Sequence, residues 1–146
     1  MRNDDIRADN LFCRLFSYTP RENRTALEDF CTEALAWCLR RSPEFRKKFL
    51  DLLQDHLTDG RPFPSGLDLN KLRIETQFGF SGEGETGETK AGRFDLRISS
   101  DDSEFCLVVE VKVDSDFGPN QIDSYREHLK KHKCGFLVSL TNRRVP

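Results

Sequence analysis

Apolar positions repeat along this chain with two periods, first helical and then alternating. From Thr25 to Arg41, the residues Leu27, Phe30, Cys31, Ala34, Leu35, Cys38 and Leu39 keep the i, i+3, i+4, i+7 spacing of an amphipathic helix. Thr25 stands where a cap is needed, and Glu28, three residues on, completes a capping box. Ser42-Pro43 closes this helix and opens another, with Ser at the N-cap and Pro at the first helical position. Phe45, Phe49, Leu52, Leu53 and Leu57 mark its apolar face, and Asp59-Gly60 and Pro62 to Gly66 form the loop beyond it.

After the loop the pattern alternates. Leu72, Ile74, Phe78 and Phe80 point one way and Arg73, Glu75 and Gln77 the other, which predicts a strand. Ser81 to Gly92, rich in Gly and Glu, reads as a loop. Phe94, Leu96 and Ile98 alternate with Arg93, Asp95 and Arg97 in a second strand, and Ser99 to Glu104 makes a polar hairpin turn. Phe105 to Val113 is apolar on both faces until Glu110 and Lys112, the mark of a strand central in its sheet. Gly118-Pro119 opens a helix running to about Lys133, Cys134-Gly135 stops it, and Phe136 to Leu140 forms a fourth strand. The order helix, helix, strand, strand, strand, helix, strand predicts an α/β fold in which a mixed central sheet is flanked by helices.

Length and composition add limits. At 146 residues, residues 1–146 are expected to form a single domain, and that domain is expected to be the N-terminal part of a longer protein. No apolar run reaches the roughly 18 residues of a membrane span, and Met1 to Asn10 lack the apolar segment of a secretory signal, so a cytoplasmic location and no membrane partner are expected. The five cysteines (Cys13, Cys31, Cys38, Cys106, Cys134) have no CxxC spacing, which favours reduced, mostly buried thiols over a zinc site. Net charge is only −2, but basic residues gather in Arg126 to Arg144 and in Arg40, Arg41, Arg46, Lys47 and Lys48, while acids gather in Glu83 to Glu88 and Asp101 to Asp116. Basic patches beside an acidic centre suit an enzyme that holds phosphates and gathers cations. By the same token His56, His128 and His132 are expected at the surface, the last two on a basic helix facing nucleic acid.

The chemistry centres on Val108-Val109-Glu110-Val111-Lys112. Period 2 places the Glu110 carboxylate and the Lys112 ammonium on one face of a strand too apolar to carry charge without a use for it. Asp95, on the preceding strand, can approach Glu110 across the hairpin, and a divalent cation relieves the repulsion of two such carboxylates. Asp95 and Glu110, together with the Val111 carbonyl, are therefore candidate ligands for Mg²⁺, with Mn²⁺ as a substitute. The reaction expected is metal-assisted phosphodiester hydrolysis, in which Lys112 orients the nucleophile and stabilises charge on phosphorus.

Asp95 followed by Glu110-x-Lys112 on the next strand resembles the D…(D/E)xK signature of the PD-(D/E)XK nucleases, with Phe94 where the name motif has proline. The resemblance implies the restriction-endonuclease-like αβββαβ core and extends from Thr25 to Thr141. Gln121-Ile122-Asp123-Ser124-Tyr125 is similar to the QxxxY motif of the recombination-exonuclease branch, and residues four apart share a helix face, so Gln121 and Tyr125 join Asp95, Glu110 and Lys112 as candidate catalytic residues. Glu28 to Trp37, with Thr32 and Ala34-Leu35-Ala36-Trp37, resembles the first helix of one bacterial family of the group. An apolar stripe centred near Cys31 and Cys38 leaves Glu28 at its edge, looking toward the sheet, and Glu33 on the opposite face. Glu28 is thus a further candidate metal ligand and Glu75 a second. The resemblance implies a DNA endonuclease that serves as effector of a bacterial anti-phage defence or restriction system. Its implied partners are DNA, a sensor domain or partner protein, and a second copy of the chain. Two readings stay beside it: a catalytically inactive binding or dimerisation module on the same fold, and a nuclease that cuts RNA.

Overall fold

The computed structural model describes residues 26–83, 89–113 and 116–142. Thr25 with its capping box, Cys13, the tip of the Gly-Glu loop and Arg143-Arg144 lie outside the described residues. The first helix, α1 (Ala26–Arg41), has Glu28 and Asp29 in its first turn and Arg40 and Arg41 in its last, both matched to the helix dipole. Ser42 turns the chain as expected. Its side chain accepts a hydrogen bond from the Phe45 amide at 3.1 Å, and Pro43 begins α2 (Pro43–His56). A 3-10 turn at Leu69–Lys71 leads into the strands β1 (Arg73–Glu83), β2 (Thr89–Ser99) and β3 (Phe105–Lys112). Helix α3 (Gln121–Leu129) then crosses to β4 (Cys134–Thr141).

The four strands lie in the order β1-β2-β3-β4. The first two pairings are antiparallel and β3–β4 is parallel, so the sheet is mixed as expected. One face packs Ala36 and Leu39 of α1 and Leu50 and Leu53 of α2 against Leu96, Ile98, Leu107 and Val109. The other packs Tyr125 and Leu129 of α3 against Phe94, Cys106 and Val108. β3 is buried from Phe105 to Val111, which accounts for its apolar character on both faces.

Several local expectations are corrected. The strands run well into the Gly-Glu segment, β1 to Glu83 and β2 from Thr89, because Gly92 lies across from Phe80 and leaves room for its ring, where a Cβ would come within 2.5 Å. Helix α3 is shorter than predicted and gives way at Lys130. The apolar residues of β1 do not share one face: Ile74 packs on the α1–α2 side, while Phe78 and Phe80 pack on the α3 side. β2 makes the same switch between Leu96 and Phe94. Gln77, at φ 55°, and Asp95, opposite it between the paired positions Thr76↔Leu96 and Phe78↔Phe94, sit at this crossover.

The helices also turn differently. α2 buries Arg46, Leu50 and Leu53 and exposes Phe45 and Leu52. Arg46 is drawn inward because its guanidinium donates to the carbonyls of Leu39 and Arg40, left over at the end of α1, and to that of Leu69 in the 3-10 turn, at 2.7–3.1 Å. α1 buries Glu28, Asp29, Thr32, Glu33, Ala36 and Leu39 and exposes Leu27 and Phe30. The expectation that Glu33 lies on the outer face is therefore overturned. No described helix is long and apolar enough to cross a membrane.

Candidate active site

Hydrogen-bonded register between β2 and β3 ends at Leu96↔Val109. The next positions, Asp95 and Glu110, lie where the strands part, and both side chains are buried, at 1% and 2% exposure. Parting frees backbone donors on the β2 edge of β3, and carboxylates take them. The Val111 amide donates to Asp95 Oδ2 at 2.9 Å, and the Val113 amide donates to Glu28 Oε1 at 2.9 Å. A strand residue sends its N–H and C=O to the same edge. The Val111 carbonyl accordingly faces the side from which Asp95 approaches.

Glu110 is gripped from the other direction. Lys112 Nζ stands 3.0 Å from its Oε1, and Gln121 Nε2 donates to the same oxygen at 2.7 Å. The Tyr125 hydroxyl lies 3.0 Å from Oε2 and 2.9 Å from the Arg93 carbonyl, so its single proton serves one of these at a time. Gln121 Nε2 also donates to that hydroxyl at 2.6 Å, and Gln121 Oε1 accepts from the Gly118 amide at 3.0 Å. The first turn of α3 is thereby tied to β3 through one carboxylate. The Tyr125 ring packs edge-on against Phe94, with centroids 4.8 Å apart, which fixes the hydroxyl from below.

Asp95, Glu110, Val111, Lys112, Gln121, Tyr125 and Glu28 are thus brought together around the end of β3. Glu75 is not: its carboxylate is bound by Arg97 at 3.0 Å, across the Glu75↔Arg97 pair and two residues from Asp95. Two groups escaped the sequence reasoning. Asp29 is buried beside Glu28 and accepts from Gln77 Nε2 at 3.1 Å, and Glu33 is buried one turn further along α1. The signal was the polar stripe Glu28, Asp29, Thr32 and Glu33, which has helical spacing of its own.

The donor set fits a hard divalent cation. Two carboxylates enclosed at neighbouring positions repel each other, and the strand-end carbonyl beside them offers an oxygen ligand. An α/β domain with a mixed sheet, acids at a strand divergence and a lysine two residues on is a restriction-endonuclease-like domain. The family model of the PD-(D/E)XK nuclease superfamily matches residues 21–139, and the chain belongs to that superfamily. Its members are generally phosphodiesterase nucleases and typically use divalent metal ions. Searches of curated proteins and of solved structures gave no match.

Proposed function

We propose that the protein is a Mg²⁺-dependent DNA endonuclease, the cutting module of a bacterial anti-phage defence or restriction system. The observation that carries this reading is the burial of Asp95 and Glu110 at the positions where β2 leaves β3, with Lys112 paired to the Glu110 carboxylate. Asp95, Glu110 and the Val111 carbonyl would hold the cation, with Glu28 beside them. When bound, the cation supplies Lewis-acid polarisation of the phosphate and a lowered pKa for water. Lys112 places positive charge where negative charge grows on the phosphoryl oxygens as water adds to phosphorus and the ester P–O bond breaks. The leaving alkoxide takes up a proton. Gln121 and Tyr125 hold the Glu110 carboxylate in one orientation, and Asp95 is held by the backbone of β3.

The test is supercoiled plasmid incubated with wild type and with Lys112→Ala in Mg²⁺, Mn²⁺ or EDTA, with a structured RNA in parallel. Metal-dependent nicking or linearisation that the variant lacks supports the reading. RNA cut in preference to DNA replaces the substrate. If neither nucleic acid is cut and calorimetry finds no Mg²⁺ binding that depends on Asp95, the nuclease reading fails.

A further inference from the structure

A second group of metal-ligand side chains lies further down β3, away from the acidic site. Cys106, buried on β3, faces His128 in the last turn of α3 and His132 just beyond it. One ligand atom from each, the cysteine sulfur and a nitrogen of each ring, lies within 4.8 Å of the others. At roughly 3.3 Å per strand residue, Cys106 is about 13 Å from Glu110. The expectation that His128 and His132 are surface groups facing nucleic acid is corrected here. His128 packs among Phe78, Phe80 and Phe94, with ring centroids at 4.9–6.4 Å, and stands 5.7 Å from the His132 ring. The sequence hid this because the ligands are not a CxxC pair. They are one strand thiol and two histidines at i, i+4, joined only by the crossover.

The nitrogens of these rings are short of partners. Both ring nitrogens of His128 and Nδ1 of His132 are buried with no hydrogen bond. A neutral imidazole carries one donor and one acceptor, and leaving either unsatisfied in the interior is destabilising. An ion that takes the ring lone pairs would satisfy these groups.

We propose that Cys106, His128 and His132 form a second metal centre, for a thiolate- and imidazole-binding ion of the Zn²⁺ class. Three protein ligands of this kind with His-x₃-His spacing suit tetrahedral coordination, with water in the fourth position. Bond lengths of about 2.0–2.3 Å need the three ligand atoms to draw together by roughly 1 Å. Burial pushes His128 down to about 4 and lowers His132 as well, so both rings are neutral at physiological pH, the form that ligates. The Ser103 backbone approaches His132 as a hydrogen-bond acceptor, the outer contact that commonly orients a ligating ring.

The charged groups facing the cluster are Arg97, its partner Glu75, and Lys131. Arg97 is within hydrogen-bonding reach of the Cys106 sulfur and would steady a thiolate there, while Glu75 offsets its charge. Burial raises the Cys106 thiol, so the ion binds by displacing the sulfur proton, and one proton is released for each ion bound to sulfur. The centre would clamp the end of α3 onto β3. The same helix carries Gln121 and Tyr125 to Glu110, so the clamp sets the helix that steadies the acidic site.

Cobalt is the probe, because Co²⁺ bound through thiolate gives an intense sulfur-to-metal absorption that oxygen ligands at Asp95 and Glu110 do not give. EDTA-stripped wild type titrated with Co²⁺ should take about one equivalent into this band, and added Zn²⁺ should bleach it. The band should vanish in Cys106→Ser, weaken in affinity by about tenfold or more in His132→Ala, and persist in Glu110→Ala. Circular dichroism confirms that each variant folds. If Cys106→Ser does not fold, His132→Ala, at a half-buried position, carries the same test. No thiolate band in wild type, or a band unchanged in the folded variants, overturns the proposal. Since the readout is metal on sulfur and no nucleic acid is present, its failure leaves the nuclease reading untouched, and the reverse.

Discussion

Asp95 Oδ2 accepts the amide proton of Val111 at 2.9 Å, so the acid on β2 is fixed by the backbone between Glu110 and Lys112. Charge and hydrogen bonding at this position can be separated. In Asp95→Asn the side-chain oxygen still accepts from Val111, but the second negative charge is gone. Metal-dependent cleavage should fall by about 100-fold or more, on the scale of a disturbed metal site. Stability should stay near wild type. Asp95→Ala should lose activity equally and also unfold more easily, by about 1–3 kcal/mol, because the Val111 amide is left without its acceptor. Plasmid nicking and urea unfolding of both variants check this. Asn at 95 cutting as well as Asp would end the ligand assignment.

Tyr125 and Gln121 both hold the Glu110 carboxylate, so under the proposed mechanism they would act on a bound metal only through it. Tyr125→Phe keeps the ring against Phe94 and removes only the hydroxyl shared with Glu110, Arg93 and Gln121. The Mg²⁺ concentration for half-maximal cleavage should rise by about tenfold or more while the melting temperature hardly moves. Gln121→Ala should behave alike. The double variant should fall short of the product of the two effects, because one carboxylate is positioned by both. An unchanged metal dependence, with activity falling only as stability falls, would make the pair structural.

The element order and the acidic site were legible in the sequence for a shared reason. β3 is buried on both faces, so Glu110 and Lys112 stand out against an apolar run, and Gln121 and Tyr125 follow at helical spacing. The faces of α1 and α2 were misread because apolar periodicity marks the core only when the inward face is apolar. Here α1 turns Glu28, Asp29, Thr32 and Glu33 inward and α2 turns Arg46 inward, and Glu28, Asp29 and Arg46 are met by hydrogen-bonding partners that no local pattern reveals. The switch of faces at Gln77 and Asp95 was invisible for a related reason. Strict alternation assumes an unbroken pleat, and the positive φ at Gln77 breaks it.

Gly135 sets the distance between β4 and the end of α3. A Cβ there would meet the Leu129 carbonyl oxygen at 2.7 Å and the Leu129 Cβ at 2.9 Å. These atoms belong to the helix end and cannot swing aside. Gly135→Ala should therefore destabilise by about 1–3 kcal/mol. Gly92→Ala meets only the tip of the Phe80 ring, which can tilt, and should cost less. Urea unfolding of the two variants ranks them. The reverse order would mean that the Phe78–Phe80–Phe94 stack is the less yielding of the two contacts.

Arg46 and Lys47 are neighbours in one basic run of the sequence, yet they do different work in the fold. Arg46 is buried and donates to three backbone carbonyls, whereas Lys47 is exposed and pairs with Asp51 along the helix at 2.6 Å. Removing the guanidinium strands acceptors at the end of α1, so Arg46→Ala should cost about 2–4 kcal/mol. Arg46→Lys should recover only part of that, since one ammonium cannot reproduce the planar fork. Lys47→Ala should change stability by no more than about 0.5 kcal/mol, as exposed pairs do. If either residue helps to hold nucleic acid, it is Lys47. Its loss should flatten the salt dependence of plasmid binding by nearly one unit of log–log slope, while Arg46→Lys should leave that slope unchanged. Equal stability effects at the two positions would show that the buried bonds of Arg46 add nothing to the fold, and an altered slope in Arg46→Lys would return that residue to the nucleic-acid surface.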